Sequence, residues 1–170
     1  TMIIVHEDHA PAKLVRGASH TSWTLSAITL TNIPTFDYGS GAEAVWSATK
    51  GYPKTATFFE QRLWFGGSKN RPQTMWASVI GDFFNFNVGT GADDDAIDIT
   101  LDTDQVNAIK AVYAGRHLTV FTSGAEFYIS DSPITPAKSA VKRQTQYGSG
   151  SVRPMNIDGA ILFIERSGKA

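Results

Sequence analysis

Apolar residues in this chain either alternate with polar ones or bunch into runs of four to six, rich in Val, Ile, Thr and aromatics. Period-two alternation and short bounded runs are the patterns of half-buried and fully buried strands. The runs come in pairs joined by a tight polar or glycine turn. Arg62-Leu-Trp-Phe-Gly-Gly-Ser68 is answered by Thr74-Met-Trp-Ala-Ser-Val-Ile80, and His117-Leu-Thr-Val-Phe-Thr-Ser123 by Gly124-Ala-Glu-Phe-Tyr-Ile-Ser130. A worn copy opens the chain (Met2–His6, then Ala12–Arg16), and half of another closes it (Ala160–Arg166).

Taken in order, the pattern predicts a buried-type strand over Met2–His6 and a turn at His9-Ala-Pro11 into Ala12–Arg16. A strand follows over Trp23–Leu30, with Trp23, Leu25 and Ala27 on one face. Asn32–Ala42 reads as a connector and Ala44–Ala48 as a short strand. Thr57–Phe65 reads as two strands or one bent strand with a turn at Glu60-Gln61, and Gly81-Asp82 as a turn before the aromatic cluster Phe83-Phe-Asn-Phe86. Val88–Thr100 is a Gly- and Asp-rich excursion. Val106–Tyr113 fits a helix face and an alternating strand equally well, and the apolar run beginning at Leu118 favours the strand. Val141–Tyr147 alternates, and Ile161–Glu165 is the last strand.

Comparable runs start near residues 2, 62, 117 and 160. Intervals of about 40–60 residues match a four-stranded propeller blade, whereas sandwiches space single strands at about 8–12 residues. The expected class is therefore all-β, with repeated antiparallel hairpins forming part of a β-propeller-like domain. A sandwich or barrel is the alternative. Residues 1–170 form one such domain or a fragment of a larger propeller, because the chain starts inside a strand-like run and stops at the turn Ser167–Ala170 without a returning strand.

Composition narrows function by exclusion. Hydrophobic residues make up 42% and charged residues 18%, so the surface is poor in charge. The net charge of −1 gives no electrostatic footprint for nucleic acid, and Lys138, Lys142 and Arg143 are only a loose group. With no cysteine, there is no disulfide, thiolate nucleophile or Cys-ligated zinc. No apolar run approaches the roughly 20 residues of a membrane span, and the opening residues lack the pattern of a signal peptide.

Few residues suggest chemistry. Asp93, Asp94, Asp95 and Asp98, with Asp102 and Asp104 beyond them, suit a hard cation such as calcium, but the spacing fails the EF-hand pattern. A solvated acidic loop explains the run as well. His6-Glu-Asp-His9 is one residue short of the HExxH spacing, and on one strand residues 6 and 9 point to opposite sides. Ser78 and Ser123 lie at strand ends without a nucleophile elbow, and Gly89-Thr-Gly91 and Gly148-Ser-Gly150 lack the strand-to-helix setting of a phosphate loop. Glu60, Glu126 and Asp82 are the carboxylates to examine for a glycosidase pair. Trp64 and Phe65 suit a core better than a sugar platform. No catalytic, cofactor-binding or metal residue is assigned, and the chain reads as a non-enzyme.

Three segments, Phe58-Phe-Glu-Gln-Arg-Leu-Trp-Phe-Gly-Gly-Ser68, Pro72-Gln-Thr-Met-Trp-Ala-Ser78 and Gly81-Asp-Phe-Phe-Asn-Phe86, resemble a stretch shared by structural proteins of tailed bacteriophages and prophages. Similar pieces are His9-Ala-Pro11 leading to Lys13-Leu-Val-Arg16 and Trp23, then Phe121-Thr-Ser-Gly-Ala-Glu126 and Gln146-Tyr-Gly-Ser149. The tail tubular or nozzle proteins of short-tailed phages are the relatives implied. The resemblance implies a virion tail component assembled in the host cytoplasm, with a propeller-like domain in each subunit of a ring. Its partners would be copies of itself and other tail and adaptor proteins, with no membrane and with DNA at most passing through the assembled channel. A carbohydrate-binding or carbohydrate-cleaving propeller and a prophage-derived interaction module are the alternatives.

Overall fold

The computed structural model describes residues 1–103 and 105–168, and no helix occurs among them. Every sheet is antiparallel and open. The first is β1 (Met2–His6), β2 (His9–Arg16) and β3 (Trp23–Ala27); a hairpin of β4 (Thr35–Asp37) and β5 (Ala42–Ala44) follows. The second is a meander of β6 (Thr55–Phe59), β7 (Arg62–Gly66), β8 (Thr74–Ala77) and β9 (Ile97–Thr100). The third is a meander of β10 (Ile109–Ala114), β11 (Leu118–Thr122), β12 (Glu126–Ile129) and β13 (Val141–Thr145). A last hairpin pairs β14 (Met155–Ile157) with β15 (Ala160–Leu162).

The second sheet is the centre of the molecule because both of its faces are covered. Every residue of β7 and β8 is buried. Alternation sends Trp64, Met75, Ala77 and Ile97 to one side, where they meet Ile109, Val112, Leu118, Val120, Phe127 and Ile129 of the third sheet. Leu63, Phe65 and Trp76 point the other way, onto Val45, Trp46 and Phe86. There Trp46 packs edge-on against Phe65, Trp76 and Phe86 at ring separations of 5.0–5.5 Å, a favoured aromatic geometry. The first strands of successive sheets lie against one another, β1 on β6 and β6 on β10. At Gly66 the approach is close enough that a Cβ would meet Val112 Cγ2 at 2.7 Å and Thr55 Cγ2 at 2.9 Å, so only glycine fits.

The hairpin turn at Glu60-Gln61 is as expected, but both residues have positive φ (46° and 59°), a conformation usually left to Asn and Gly. The Glu60 carboxylate explains its presence. Oε1 accepts from Ser132 Oγ at 2.7 Å and Oε2 from Ile134 N at 2.7 Å, tying the second sheet to the loop after β12. Gln61 is exposed and makes no such contact.

Several sequence expectations shift. Met2–His6 is half-buried on one face only, because among the described residues the first sheet has a neighbour on one side; Met2 and Ile4 face outward. Its turn is Glu7-Asp8, not His9-Ala-Pro11: the residue before a proline prefers extended backbone, and Pro11 falls where the register slips between Ile4 and His6. The strand from Trp23 stops at Ala27. The connector after Asn32 contains β4, with Asp37 Oδ1 accepting from Gly39 N and Gly41 N to shape the turn, and the short strand near Ala44 ends there instead of beginning there. The acidic excursion ends in β9, with Ile97 buried and the Asp98 carboxylate turned to Trp76 and Arg71. Val106–Tyr113 is strand, from Ile109 onward. The last strand is Ala160–Leu162 and has a partner that the sequence reading missed. Asp158 (φ 51°) and Gly159 (φ 82°) form the Asp-Gly turn between them, a strong hairpin signal.

The two residues of the β6–β7 turn have opposite expected effects. Glu60→Ala leaves the Ile134 N–H without its carboxylate and lowers stability by about 1–3 kcal/mol. Gln61→Gly relieves an unfavourable φ and raises stability by about 0.5–1 kcal/mol. Urea unfolding of both variants followed by tryptophan fluorescence checks the pair; equal signs would contradict the tether.

Candidate interaction surfaces

The most prominent exposed features lie at the two ends of the sheet stack. Cross-strand partners share a face, so the registers Met2↔Leu14↔Leu25 and Ile4↔Ala12↔Ala27 place these residues, with Trp23, on the outer side of the first sheet. Met2, Ile4, Trp23 and Leu25 are 41–63% exposed. At the other end Met155 pairs with Leu162 and Ile157 with Ala160, and Met155, Ile157 and Leu162 are 42–54% exposed. The opposite face of that hairpin turns Ile161 toward Gly115, and the following Phe163 meets Phe121 at a ring separation of 5.2 Å. Exposed apolar residues gathered on one face are candidates for association. The sequence reading had Trp23, Leu25 and Ala27 on one face but could not tell whether that face was covered.

The acidic run is organised around a buried arginine. Arg62 Nη1 donates to Ser78 O (2.7 Å) and Asp95 O (2.5 Å), and Nη2 to Asp93 O (2.7 Å). Burial pulls the guanidinium below the usual arginine range, with Asp94, Glu60 and Asp95 opposing the shift. The carbonyls that a calcium ion would recruit are thus already turned to a guanidinium. Asp95 is committed too: its Oδ2 accepts from the N–H groups of Thr90, Gly91 and Ala92 at 2.9–3.0 Å. Gly89-Thr-Gly91 therefore holds an anion after all, but the anion is the chain's own carboxylate. The Asp93 and Asp94 residues are exposed, Asp98 faces Trp76 and Arg71 instead, and Asp104 lies outside the described residues. The acidic loop is thus only partly solvated.

The remaining candidates disperse. The turn at Glu7-Asp8 makes His6 and His9 a cross-strand pair with rings 5.4 Å apart, correcting the expectation that they point to opposite sides. Both are exposed, and His6 Nδ1 accepts from Asp8 N. Among the described residues no three His, Asp or Glu side chains converge as metal ligands would. Glu60 is the tether described above. Glu126 is buried and accepts from Thr145 Oγ1 (2.6 Å), Ser149 Oγ (2.8 Å) and Tyr147 N (3.3 Å), while Asp82 sits exposed in the turn after β8. Glu60 and Glu126 are thus each engaged in a separate set of hydrogen bonds. Ser78 Oγ is bonded to Leu63 N and Val79 O, and Trp64 and Phe65 are fully buried. Lys142 reaches Ser130 Oγ, so the loose basic group is not a patch.

The β4–β5 hairpin is clasped to the outer strand of the second sheet. Arg71 lies 4.1 Å over the Phe36 ring, donates to Thr100 Oγ1 at 2.9 Å and faces Asp98 at 3.7 Å. Trp76 Nε1 donates to Asp98 Oδ2 at 3.0 Å. Burial pushes the Asp98 carboxyl above its ordinary value, against the pull of Arg71 and Trp76.

Arg62→Met keeps the stem and removes the donors, leaving Ser78, Asp93 and Asp95 carbonyls unmatched. The expected loss is about 3 kcal/mol in urea unfolding, with faster proteolysis between Val88 and Asp95. Calcium added to the native protein leaves the unfolding midpoint unchanged. For Asp98, the raised folded-state value means that the folded chain holds the proton more tightly than the unfolded one. Its contribution to stability is therefore full below the ordinary aspartate value near 3.8 and declines as pH rises through the raised value. Subtracting the pH–stability curve of Asp98→Asn from that of the native protein isolates this decline; a difference that grows with pH contradicts it.

Comparison with known proteins finds no matching family model and no similar curated protein.

Proposed function

We propose that this chain is an assembling structural protein of the phage-tail type, a tail-tube or nozzle component built on an arc of a β-propeller. The carrying observation is the stack of sheets that ends on an exposed apolar face at either side. Two further observations support the propeller reading. The first strands of the three larger sheets start at residues 2, 55 and 109, so the repeat is nearly even. Those strands also lie side by side, as innermost strands of neighbouring blades do. The segments resembling phage structural proteins cover β7, β8 and the Phe86 wedge, which make up the doubly covered centre of the stack.

Association between copies in this reading is heterologous: the β14–β15 face of one subunit meets the β1–β3 face of the next. Such contacts make a ring if the rotation closes. The low proportion of charge suits a protein that buries much of its exterior against neighbours. No helix among the described residues is long and apolar enough to cross a membrane.

Light scattering on a size-exclusion column is expected to show a mass that rises with protein concentration. Leu25→Asp and Met155→Asp, both at exposed positions, are each expected to hold the mass at that of one chain. A single-chain mass at every concentration for the native protein contradicts the assembly. Neighbouring genes for portal, adaptor and internal virion proteins would support the phage assignment, and neighbours of metabolic or transport type would count against it.

A further inference from the structure

The tight turn at Glu7-Asp8 sets two of the chain's four histidines opposite each other. His6 ends β1 and His9 begins β2, and the two are cross-strand partners with ring centroids 5.4 Å apart and planes inclined by 41°. Residues three apart on one continuous strand face opposite ways; the two-residue turn is what brings both rings to one side. Both residues are exposed, so solutes reach the rings.

The separation is the one that a shared metal ion requires. With a metal–nitrogen bond of about 2.0–2.1 Å, the ion stands about 3.2 Å from the centre of each imidazole. Centres 5.4 Å apart then subtend about 115° at the metal, close to the tetrahedral angle. The acids of the turn are engaged elsewhere: Glu7 pairs with Lys54, and Asp8 Oδ1 with Lys69. Together with Tyr52 N, which donates to Glu7 O at 2.9 Å, these contacts hold the turn from outside the hairpin. The ligands left to a metal are the two imidazoles.

The second Asp8 oxygen, Oδ2, lies 3.7 Å from His6 Nδ1, which accepts from Asp8 N at 3.1 Å. When the ring proton moves to Nδ1, Nε2 can ligate a metal and Oδ2 is placed to accept from Nδ1–H. That is the carboxylate–histidine–metal arrangement that orients a ligating ring. The Asp8 N–H given up in the exchange belongs to an exposed residue and turns to water.

We propose that His6 and His9 form a two-point chelate for a borderline transition-metal ion, copper(II) ahead of nickel(II) and zinc(II). Paired imidazoles suit these metals, whereas calcium and magnesium need oxygen ligands. The remaining coordination positions take water. The chelate needs one chain only and so does not depend on the assembly reading.

Isothermal titration of the full chain with copper(II) chloride tests it. One site is expected, weaker for zinc(II) and absent for calcium. In NMR spectra, copper(II) below one equivalent is expected to broaden the amide resonances of Val5–Ala10 by its paramagnetism. His6→Ala and His9→Ala, both at exposed positions, are each expected to weaken binding at least roughly tenfold, because each leaves a single imidazole. His20→Ala leaves the affinity unchanged. No copper(II) binding, binding that survives the His6→Ala/His9→Ala double variant, or broadening centred on another surface overturns the proposal.

Discussion

Burial of the second sheet on both faces governs the rest of this structure. A strand with one wet face can alternate apolar and polar residues; β7 and β8 cannot, because neither side meets water. Full burial of side chains the size of Trp64, Phe65, Met75 and Trp76 stabilises the fold by roughly 1.5–3 kcal/mol each, provided neighbours exist on both sides. Those neighbours are themselves sheets, and each new sheet brings a second face that needs a cover. Stacking therefore propagates outward until it reaches a face left bare, which is where Met2, Leu25, Met155 and Ile157 stand.

Polar groups caught in such a stack must find partners close by, and they supply its cross-links. Arg62 enters the sheet at the start of β7 and gathers the carbonyls of a loop more than thirty residues later. Glu60 reaches across to the next sheet's loop, and Glu126 fastens the end of β13 and the following turn to β12. Each of these ionisable groups bonds to hydroxyl or backbone groups instead of an opposite charge, and only the Arg62 Nε among their polar atoms is buried without a partner. That choice costs little geometric freedom in a β structure, where loops end near one another, and it turns the carbonyls of Asp93 and Asp95 toward a guanidinium.

The all-β class and the hairpin pairs were legible because period-two alternation is local: Leu118–Thr122, Glu126–Ile129 and the Glu60-Gln61 turn lie where the pattern puts them. What escaped depends on partners distant in sequence. Met2–His6 has the same apolar content as a buried strand, and only the absence of a sheet beyond it leaves Ile4 outside. Ile97 and Ile99 alternate properly, but the aspartates before them masked the strand. The Asp158-Gly159 turn was readable and overlooked. Arg62 gave no signal either; one arginine opening an apolar run looks like an ordinary strand end.

The location of the phage-like segments has its own consequence. Phe58–Phe86 contributes most of the residues that are buried on both sides, together with Arg62 and Ser78, which close the loop around them. Selection on such positions acts through packing density, where a change of one methylene is felt. A resemblance confined to such positions bears on packing and is silent about what the stack touches. What packing leaves free includes two mostly apolar faces at the ends of the stack. The end faces are exposed and mostly apolar, with Arg16 beside Trp23 on the first, and their residues are not the ones that hold the sheets together.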